Sequence, residues 1–499
     1  MTPRALSHGL HEQPVAERSG PGATTRVREL AVSEWPCVVA VCWFAAVLLL
    51  VAPALITQDT WLTLVSGREI GRIGLPHVET LTVSARGADW VDQQWLAQVV
   101  YYGAWRVGGL TTVFALHVGL VVAAIGAIIV AARRRGGSAR TVGVLVPALL
   151  LAAPSSWSLR AQTLAVVLFA ALLALLVEHR SAARPRVVST LGILVLWANV
   201  HGSVLVGVVA VVVYAASMLA KRRSPRWPAT ALLVGAPAAV LASPYAASLP
   251  SYYHLMLVDP PFGRLVLEWQ RTGVEARTAL FWLALAATAA IIALRPRLFP
   301  AHEATLLVLL ALLSVVAVRN VVWFVLAAAV FLPQAVDSVA PRRWSARQVA
   351  ATPRIGVVAT ASVVALAIVS LATLNTRVAS TWPDAAIRTV DRAASADSRA
   401  TVYANERLAD WLLWRLPSLR GRLLFDARLE LLARGQIDRI VSFQSGSEPW
   451  RLPPARARVV VLGPENRDAI ENLVSRHGYR LAAADDRAVV VIRPAVTPA

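Results

Sequence analysis

Apolar positions along this chain come in blocks, and the polar positions between them are short and rich in arginine. Most blocks run to roughly 17–23 residues, the length of helix that crosses about 30 Å of hydrocarbon. They lie at 36–56, 110–132, 141–153 (short), 161–178, 187–199, 202–220, 228–243, 277–295, 302–318, 320–336 and 355–374. The pattern predicts an all-α polytopic membrane protein of about eleven transmembrane helices. After Leu374 the pattern changes. Strand-like runs RATVYA, GRLLFDA, ARVVVLG and RAVVVIR alternate with helix-like ERLADWLLWRL and ENLVSRHGY, which predicts a small C-terminal α/β domain. No fixed-period repeat is present, which argues against a solenoid.

Between the first two blocks, the loop 57–109 carries two amphipathic stretches, WLTLVSGREIGRIG and WLAQVVYYGAWRVGG. Apolar residues recur in them at helical spacing and Trp and Tyr are frequent, so both are expected to be helices lying in the membrane interface. A turn-rich cap, 74–95, joins them.

The chain has 499 residues and a formal net charge of +20, carried almost entirely by arginine, with Lys221 the single lysine. Arg133, Arg134, Arg135 and Arg140, then Arg180, Arg184 and Arg186, then Lys221, Arg222, Arg223 and Arg226, then Arg295 and Arg297, then Arg342, Arg343 and Arg347 fall in alternate connections. The positive-inside rule puts those connections in the cytoplasm with the N-terminus, and the C-terminal domain outside. It also accounts for the basic charge without nucleic acid as a partner. Residues 1–35, polar and rich in Pro and Gly, read as a disordered cytoplasmic tail without a cleavable signal. The expected domains are therefore 1–35, a transmembrane unit 36–374, and an extracytoplasmic unit 375–499. Cys37 and Cys42 sit in the first block without metal-ligand spacing, and packing explains them.

Candidate chemistry concentrates on the external side. The loop 57–109 holds Asp59, Glu69, Glu79, Asp89 and Asp92 among Trp61, Trp90, Trp95, Tyr101, Tyr102 and Trp105. Asp59 stands where the first block ends, and a carboxylate in such partly dehydrated surroundings calls for a functional role or a partner. A cap on Thr60 and Trp61 is the competing explanation. Arg160 and Gln162, Asn199 and His201, Glu268 to Arg271, and Arg319 with Asn320 mark the external ends of other blocks. The arginines are suited to snorkelling or to a lipid phosphate, and His201 to a helix-terminus hydrogen bond or to substrate. The zincin, P-loop, nucleophile-elbow and paired CxxC motifs are all missing from the sequence.

An acid after the first span, an interfacial helix, a cap and a second such helix resemble the first external loop of the GT-C superfamily of polyprenyl-phosphate-sugar-dependent glycosyltransferases. More narrowly, Asp59, Trp61, Gly67, Arg68, Ile70, Gly74, Pro76, Thr80, Trp90, Asp92, Trp95 and Leu96 are similar to a bacterial family of GT-C-like membrane proteins. Arg160-Ala161-Gln162, 197–202, Ser243-Pro244-Tyr245, Glu268-Trp269-Gln270, Arg319-Asn320, and Phe425-Asp426-Ala427-Arg428 with Glu430, a D-x-R element, add to the resemblance. The resemblance implies sugar transfer from a polyprenyl-phosphate donor to a cell-envelope acceptor, with Asp59 as general base and Arg160, Arg319 and Arg271 as candidates for the donor phosphate. It also implies that Glu79, Asp92 and Glu268 bind sugar hydroxyls or hold an arginine, and that Trp61, Trp90 and Trp269 stack on a sugar ring. No metal or other cofactor is assigned. The rival classes are a transporter or flippase of lipid-linked precursors and a non-catalytic envelope protein. A transporter favours charges at mid-span, whereas the polar groups here cluster at one face.

Overall fold

The computed structural model describes residues 23–177, 183–220, 226–339, 354–447 and 457–494. Most of the tail 1–35, and Arg180, Lys221, Arg222, Arg223, Arg342, Arg343 and Arg347, lie outside the described residues. The helices are α1 (Ala23–Leu50), α2 (Gln58–Ile73), α3 (Trp95–Arg134), α4 (Ala139–Leu150), α5 (Gln162–Val177), α6 (Ala183–Ala198), α7 (Val204–Ala220), α8 (Arg226–Val240), α9 (Leu249–Val258), α10 (Ala279–Leu294), α11 (Ala301–Val316), α12 (Val321–Phe331), α13 (Pro333–Val339), α14 (Arg354–Ala379), α15 (Asp384–Ser395), α16 (Glu406–Arg415), α17 (Arg434–Gln444) and α18 (Arg467–Arg476).

Every apolar block falls on a helix, but the number of full-length spans is smaller than the pattern predicts. Among the described residues three helices are long and apolar enough to cross a membrane, Trp95–Arg134, Ala276–Leu294 and Ile355–Ala379; Val318–Phe331 with Pro333–Val339, bent by 53°, makes a fourth if taken as one span. Several others, such as Gln162–Val177 and Ala301–Val316, have 16 residues. At 1.5 Å per residue that is about 24 Å, short of the hydrocarbon thickness. The expected blocks extend past these helices by only one or two residues, so hydropathy marks their positions but does not make them full-length spans. Two helices instead run longer than expected. Helix α1 already begins at Ala23, inside the stretch expected to be a tail. The second interfacial helix is continuous with the span that follows, inside α3, with a break at Gly108 and Gly109, where Gly109 has φ +65°.

Helix α12 is buried along its whole length and forms the centre of the bundle. Its Trp323 packs with Phe169 of α5 and Trp197 of α6, the three ring centroids 5.3–5.9 Å apart. The arginine-rich connections meet at one end: Arg133 pairs with Glu34 at 2.6 Å, Arg135 with Glu303 at 2.7 Å, and Arg295 donates to Ser338. On the outside of the bundle, Val357, Val358, Ile368 and Val369 of α14 are exposed, as a lipid-facing surface requires.

The C-terminal sheet has strands β1 (Thr401–Ala404), β2 (Ala457–Leu462), β3 (Arg480–Ala484) and β4 (Val489–Ile492) in the order β1-β2-β4-β3. Strand β2 runs parallel to β1 and antiparallel to β4, and β3 is antiparallel to β4. The run GRLLFDA is not a strand of this sheet. Leu423 instead bridges Val402 on one side and Thr82 of the first external loop on the other. Its carbonyl accepts from Val83 N at 2.8 Å, and Gly421 N donates to Leu81 O at 2.8 Å. The loop 57–109 is thus sewn to the C-terminal domain.

Helix α2 completes this junction. Arg68 donates to the terminal carbonyls of α16, Leu413 O at 2.7 Å and Trp414 O at 3.0 Å, where a cation also suits the negative end of a helix. On its other face α2 lies so close to α3 that a Cβ on Gly67 would sit 2.3 Å from Gln98 O and 2.6 Å from Tyr102 Cβ. Gly67→Ala is therefore expected to destabilise the protein by about 1–3 kcal/mol through overpacking. Gly103→Ala, where a Cβ meets nothing within 4 Å, is expected to be neutral or stabilising, and thermal unfolding in detergent compares the two.

Candidate active site

The turn 154–160 and the start of α2 are fastened to each other on both sides. Thr60 Oγ1 donates to Leu159 O at 2.7 Å, and Leu159 N donates to Leu55 O at 2.8 Å. This registers Arg160 against Asp59, which lies in the first turn of α2, where a negative charge is favoured. The Asp59 carboxylate is 3.5 Å from Arg160 Nη1. Thr57, not Asp59, precedes the helix, and the Thr57 N–H donates to Thr60 Oγ1 at 3.2 Å.

A second pair of connections is joined in the same way. Val318 N donates to Gln270 O at 3.1 Å, Thr272 N to Val315 O at 3.1 Å, and Asn320 Nδ2 to Leu313 O at 3.0 Å. That seam lays Arg319 over the Trp269 ring, 4.0 Å from its centroid, and turns Glu268 inward. Glu268 receives Arg160 Nη1 on both oxygens, at 2.8 and 3.0 Å. The turn at 199–203 is held by Asn199, which accepts from Trp95 Nε1 at 3.0 Å and donates to Ala242 O at 2.7 Å. His201 in this turn accepts the Ser203 N–H on Nδ1 at 3.1 Å, which leaves the proton on Nε2. Among the described residues Nε2 has no hydrogen-bond partner.

Asp59, Arg160, His201, Glu268 and Arg319 come from five different connections at one end of the bundle and lie within electrostatic range of one another. Asp59 keeps 37 % of its side-chain surface accessible although protein surrounds it, so it lines a recess. Burial raises its pKa, Arg160 works against the rise, and Glu268 adds to it. Burial and the two arginines hold His201 neutral, far below its usual range. Arg160 is occupied by two carboxylates. Arg319 is different: among the described residues its guanidinium makes no ion pair and no hydrogen bond, only the stacking on Trp269. Burial lowers its pKa and Arg160 adds to the fall, while Tyr252, Glu268 and Asp59 at longer range offset part of it. Arg271 is exposed and stands outside the group.

The other expected site residues gather around Arg428. This guanidinium meets Glu79 and Asp426, each at 2.5 Å, and lies 4.3 Å from the Trp90 ring centroid. Glu79 is completely buried, and its other oxygen takes the Leu81 and Thr82 N–H groups at 2.5 and 2.7 Å, so it braces the loop and is not open to a ligand. Asp92 is buried, accepts from Gln98 Nε2 at 2.9 Å, and is pushed up to about 6 by burial. Trp61 packs edge-to-face on Trp382 at 5.4 Å, in the aromatic seam between α2 and the external domain, and is buried there.

Three groups were not singled out from the sequence. Tyr252, from α9, lies between Arg319 and Glu430. Asp410 is fully buried in α16, raised by burial and then by Asp426, and senses Asp59. Its signal was a carboxylate in the unbroken buried run 408–413. Glu430, noted only as part of the D-x-R element, is pushed up to about 7 by burial. Among the described residues no group of three or more His, Cys, Asp or Glu is placed to hold a metal ion. A flank cleft of about 600 Å³, lined by Trp95, Leu96 and Leu241 among others, contains none of the charged residues; chemistry rather than volume marks the site.

No protein-family model matches the sequence, and no curated protein sequence matches it. Solved structures do. ArnT from Cupriavidus metallidurans bound to undecaprenyl phosphate superposes with a TM-score of 0.53 at 16 % identity, over 91 % of this chain and 98 % of that one. The chain has the GT-C fold. The mycobacterial arabinofuranosyltransferase AftD follows at TM-score 0.51 and 14 % identity, over 91 % of this chain and 40 % of AftD. The Archaeoglobus fulgidus oligosaccharyltransferase, tethered to an acceptor peptide, gives 0.51 and 11 %, over 87 % and 69 %. In this GT-C fold the charged recess lies at the end of the bundle that faces the C-terminal domain.

The acid cluster gives a pH-dependent expectation. Glu430 unfolded titrates near 4.5 and folded near 7, so the folded state binds the proton more tightly. Its contribution destabilises the fold progressively from about pH 4.5 to 7 and is constant above that. Glu430→Gln is expected to raise the melting temperature relative to wild type at pH 8 and to make little difference at pH 4.5.

Proposed function

We propose that the chain is a membrane glycosyltransferase that moves a sugar from a polyprenyl-phosphate donor to a cell-envelope acceptor at the external face. The observation that carries this reading is the convergence of Asp59, Arg160, His201, Glu268 and Arg319 on one recess. The GT-C fold and the undecaprenyl phosphate bound by the ArnT neighbour support it. In this reading the protein sits in the bacterial plasma membrane with its N-terminus cytoplasmic, and residues 375–499 lie outside to receive the acceptor.

The acceptor hydroxyl attacks the anomeric carbon and gives its proton to Asp59 as the new C–O bond forms. The bond from that carbon to the phosphate oxygen breaks, and polyprenyl phosphate leaves. Asp59, raised by burial, is a stronger base than a surface aspartate. Arg319, whose donors have no protein carboxylate, receives the phosphate oxygens; an arginine fork matches them bidentately. Arg160 is a positioning residue, held between Glu268 and Asp59. His201 Nε2–H is free to donate to a sugar hydroxyl, and Trp269 with Glu268 borders the sugar.

Purified protein incubated with a panel of polyprenyl-phosphate sugars is expected to release polyprenyl phosphate in the presence of an envelope glycan acceptor. Asp59→Asn is expected to lower the rate by about 10²–10⁴-fold. Activity of the wild type is expected to rise with pH as Asp59 loses its proton, above the ordinary carboxylate range. Full activity in the Asp59→Asn protein would rule out the base, and no release from any donor would rule out the enzyme.

A further inference from the structure

A second cleft, of about 580 Å³, lies on the other side of the first turn of α2. Leu50, Val51, Pro53, Ala54 and Ile56 form its apolar wall, while Gln58, Arg377 and Arg407 supply its polar side; no acidic residue lines it. Arg377 is fixed in place: Nη1 donates to Ser370 Oγ at 2.9 Å and Nη2 to Leu50 O at 2.5 Å, at the carbonyl end of α1. Arg407, from the first turn of α16, is exposed and faces the Trp382 ring at 5.9 Å. Among the described residues neither Arg407 nor the Gln58 amide makes a side-chain hydrogen bond. Two guanidiniums from opposite sides of the seam therefore share a space with no carboxylate to neutralise them.

The apolar wall of the cleft opens to the outside at the end of α1, and the face of α14 is open beside it. Leu50 and Val51 at the end of α1 are 61 % and 42 % exposed, and Val364, Ile368 and Val369 of α14 are 53–66 % exposed. A ligand that fits has an anionic head for the arginines and apolar chains for the helices. We propose that this cleft binds the phosphate headgroup of an anionic glycerophospholipid of the outer leaflet, one acyl chain lying along α1 and the other along α14. Two separate apolar surfaces suit two acyl chains better than a single polyprenyl chain. The headgroup phosphate bridges Arg377 of the bundle and Arg407 of the external domain, and so ties the domain to the membrane. The site is distinct from the recess of Asp59 and Arg319 and stands whether or not that recess is catalytic.

The full chain in detergent, examined by native mass spectrometry during titration with phosphatidylglycerol, phosphatidylcholine and undecaprenyl phosphate, tests the assignment. Wild type is expected to retain phosphatidylglycerol in preference to phosphatidylcholine. Removal of one arginine contact in Arg407→Ala is expected to weaken phosphatidylglycerol binding about fivefold, with Arg407→Lys in between. Arg407 is exposed and unbonded, so the substitution leaves the fold intact, and an unchanged melting temperature checks this. Equal phosphatidylglycerol binding by wild type and Arg407→Ala would overturn the proposal. So would equal retention of phosphatidylcholine, or a loss on substitution confined to undecaprenyl phosphate.

Discussion

One buried guanidinium holds the external half of this protein together. Arg428 comes from the C-terminal domain, Glu79 from the first external loop, and Asp426 from the turn that precedes Arg428. Burying charge is tolerable only when each partner is met and hydrogen-bonded, and breaking such a group typically costs about 3–5 kcal/mol. The Trp90 ring covers one side of the guanidinium, the Leu81 and Thr82 amides satisfy Glu79, and the Arg428 amide satisfies Asp426. The sheet edge at Leu423, the helix end capped by Arg68, and the placement of Asp410 and Glu430 beside the recess all depend on that junction.

Two arginines of the recess, alike in the sequence, have opposite electrostatic situations. Arg160 has its charge answered by Glu268 and Asp59, whereas Arg319 has a ring and no counter-ion. A guanidinium without a counter-ion is costly to bury, and the cost is recovered when an anion arrives. The acids show the complementary arrangement: Asp92, Asp410 and Glu430 outnumber the one arginine near them, and burial raises the pKa of each.

The helical blocks and the gathering of the arginine-rich connections at one end were legible in the chain, because both follow from hydropathy and charge at short range. So was the group of Asp59, Arg160, His201, Glu268 and Arg319, since polar residues at the ends of apolar blocks are few. Hydropathy could not separate a 16-residue helix with polar turns from a full span. Nor could it place Trp61, Glu79 and Trp90, whose surroundings come from residues over 300 positions away, such as Trp382 and Arg428. Asp410 was hidden for the same reason: a single carboxylate in an apolar run acquires meaning only through Ala427, Asp426 and Asp59.

The hydrogen bonds from Val83 and Ser84 to Leu423 and Leu424 span about two thirds of the chain. The loop that carries Asp59 leaves the ribosome early, and its bonding partners leave it late. Until residues 421–428 have been made, Glu79 lacks the Arg428 guanidinium and the loop lacks the Leu423 edge to join. A nascent or truncated chain can therefore bring Asp59, Arg160, His201, Glu268 and Arg319 together, all of which precede residue 321, while the seam between the loop and the C-terminal domain is still open.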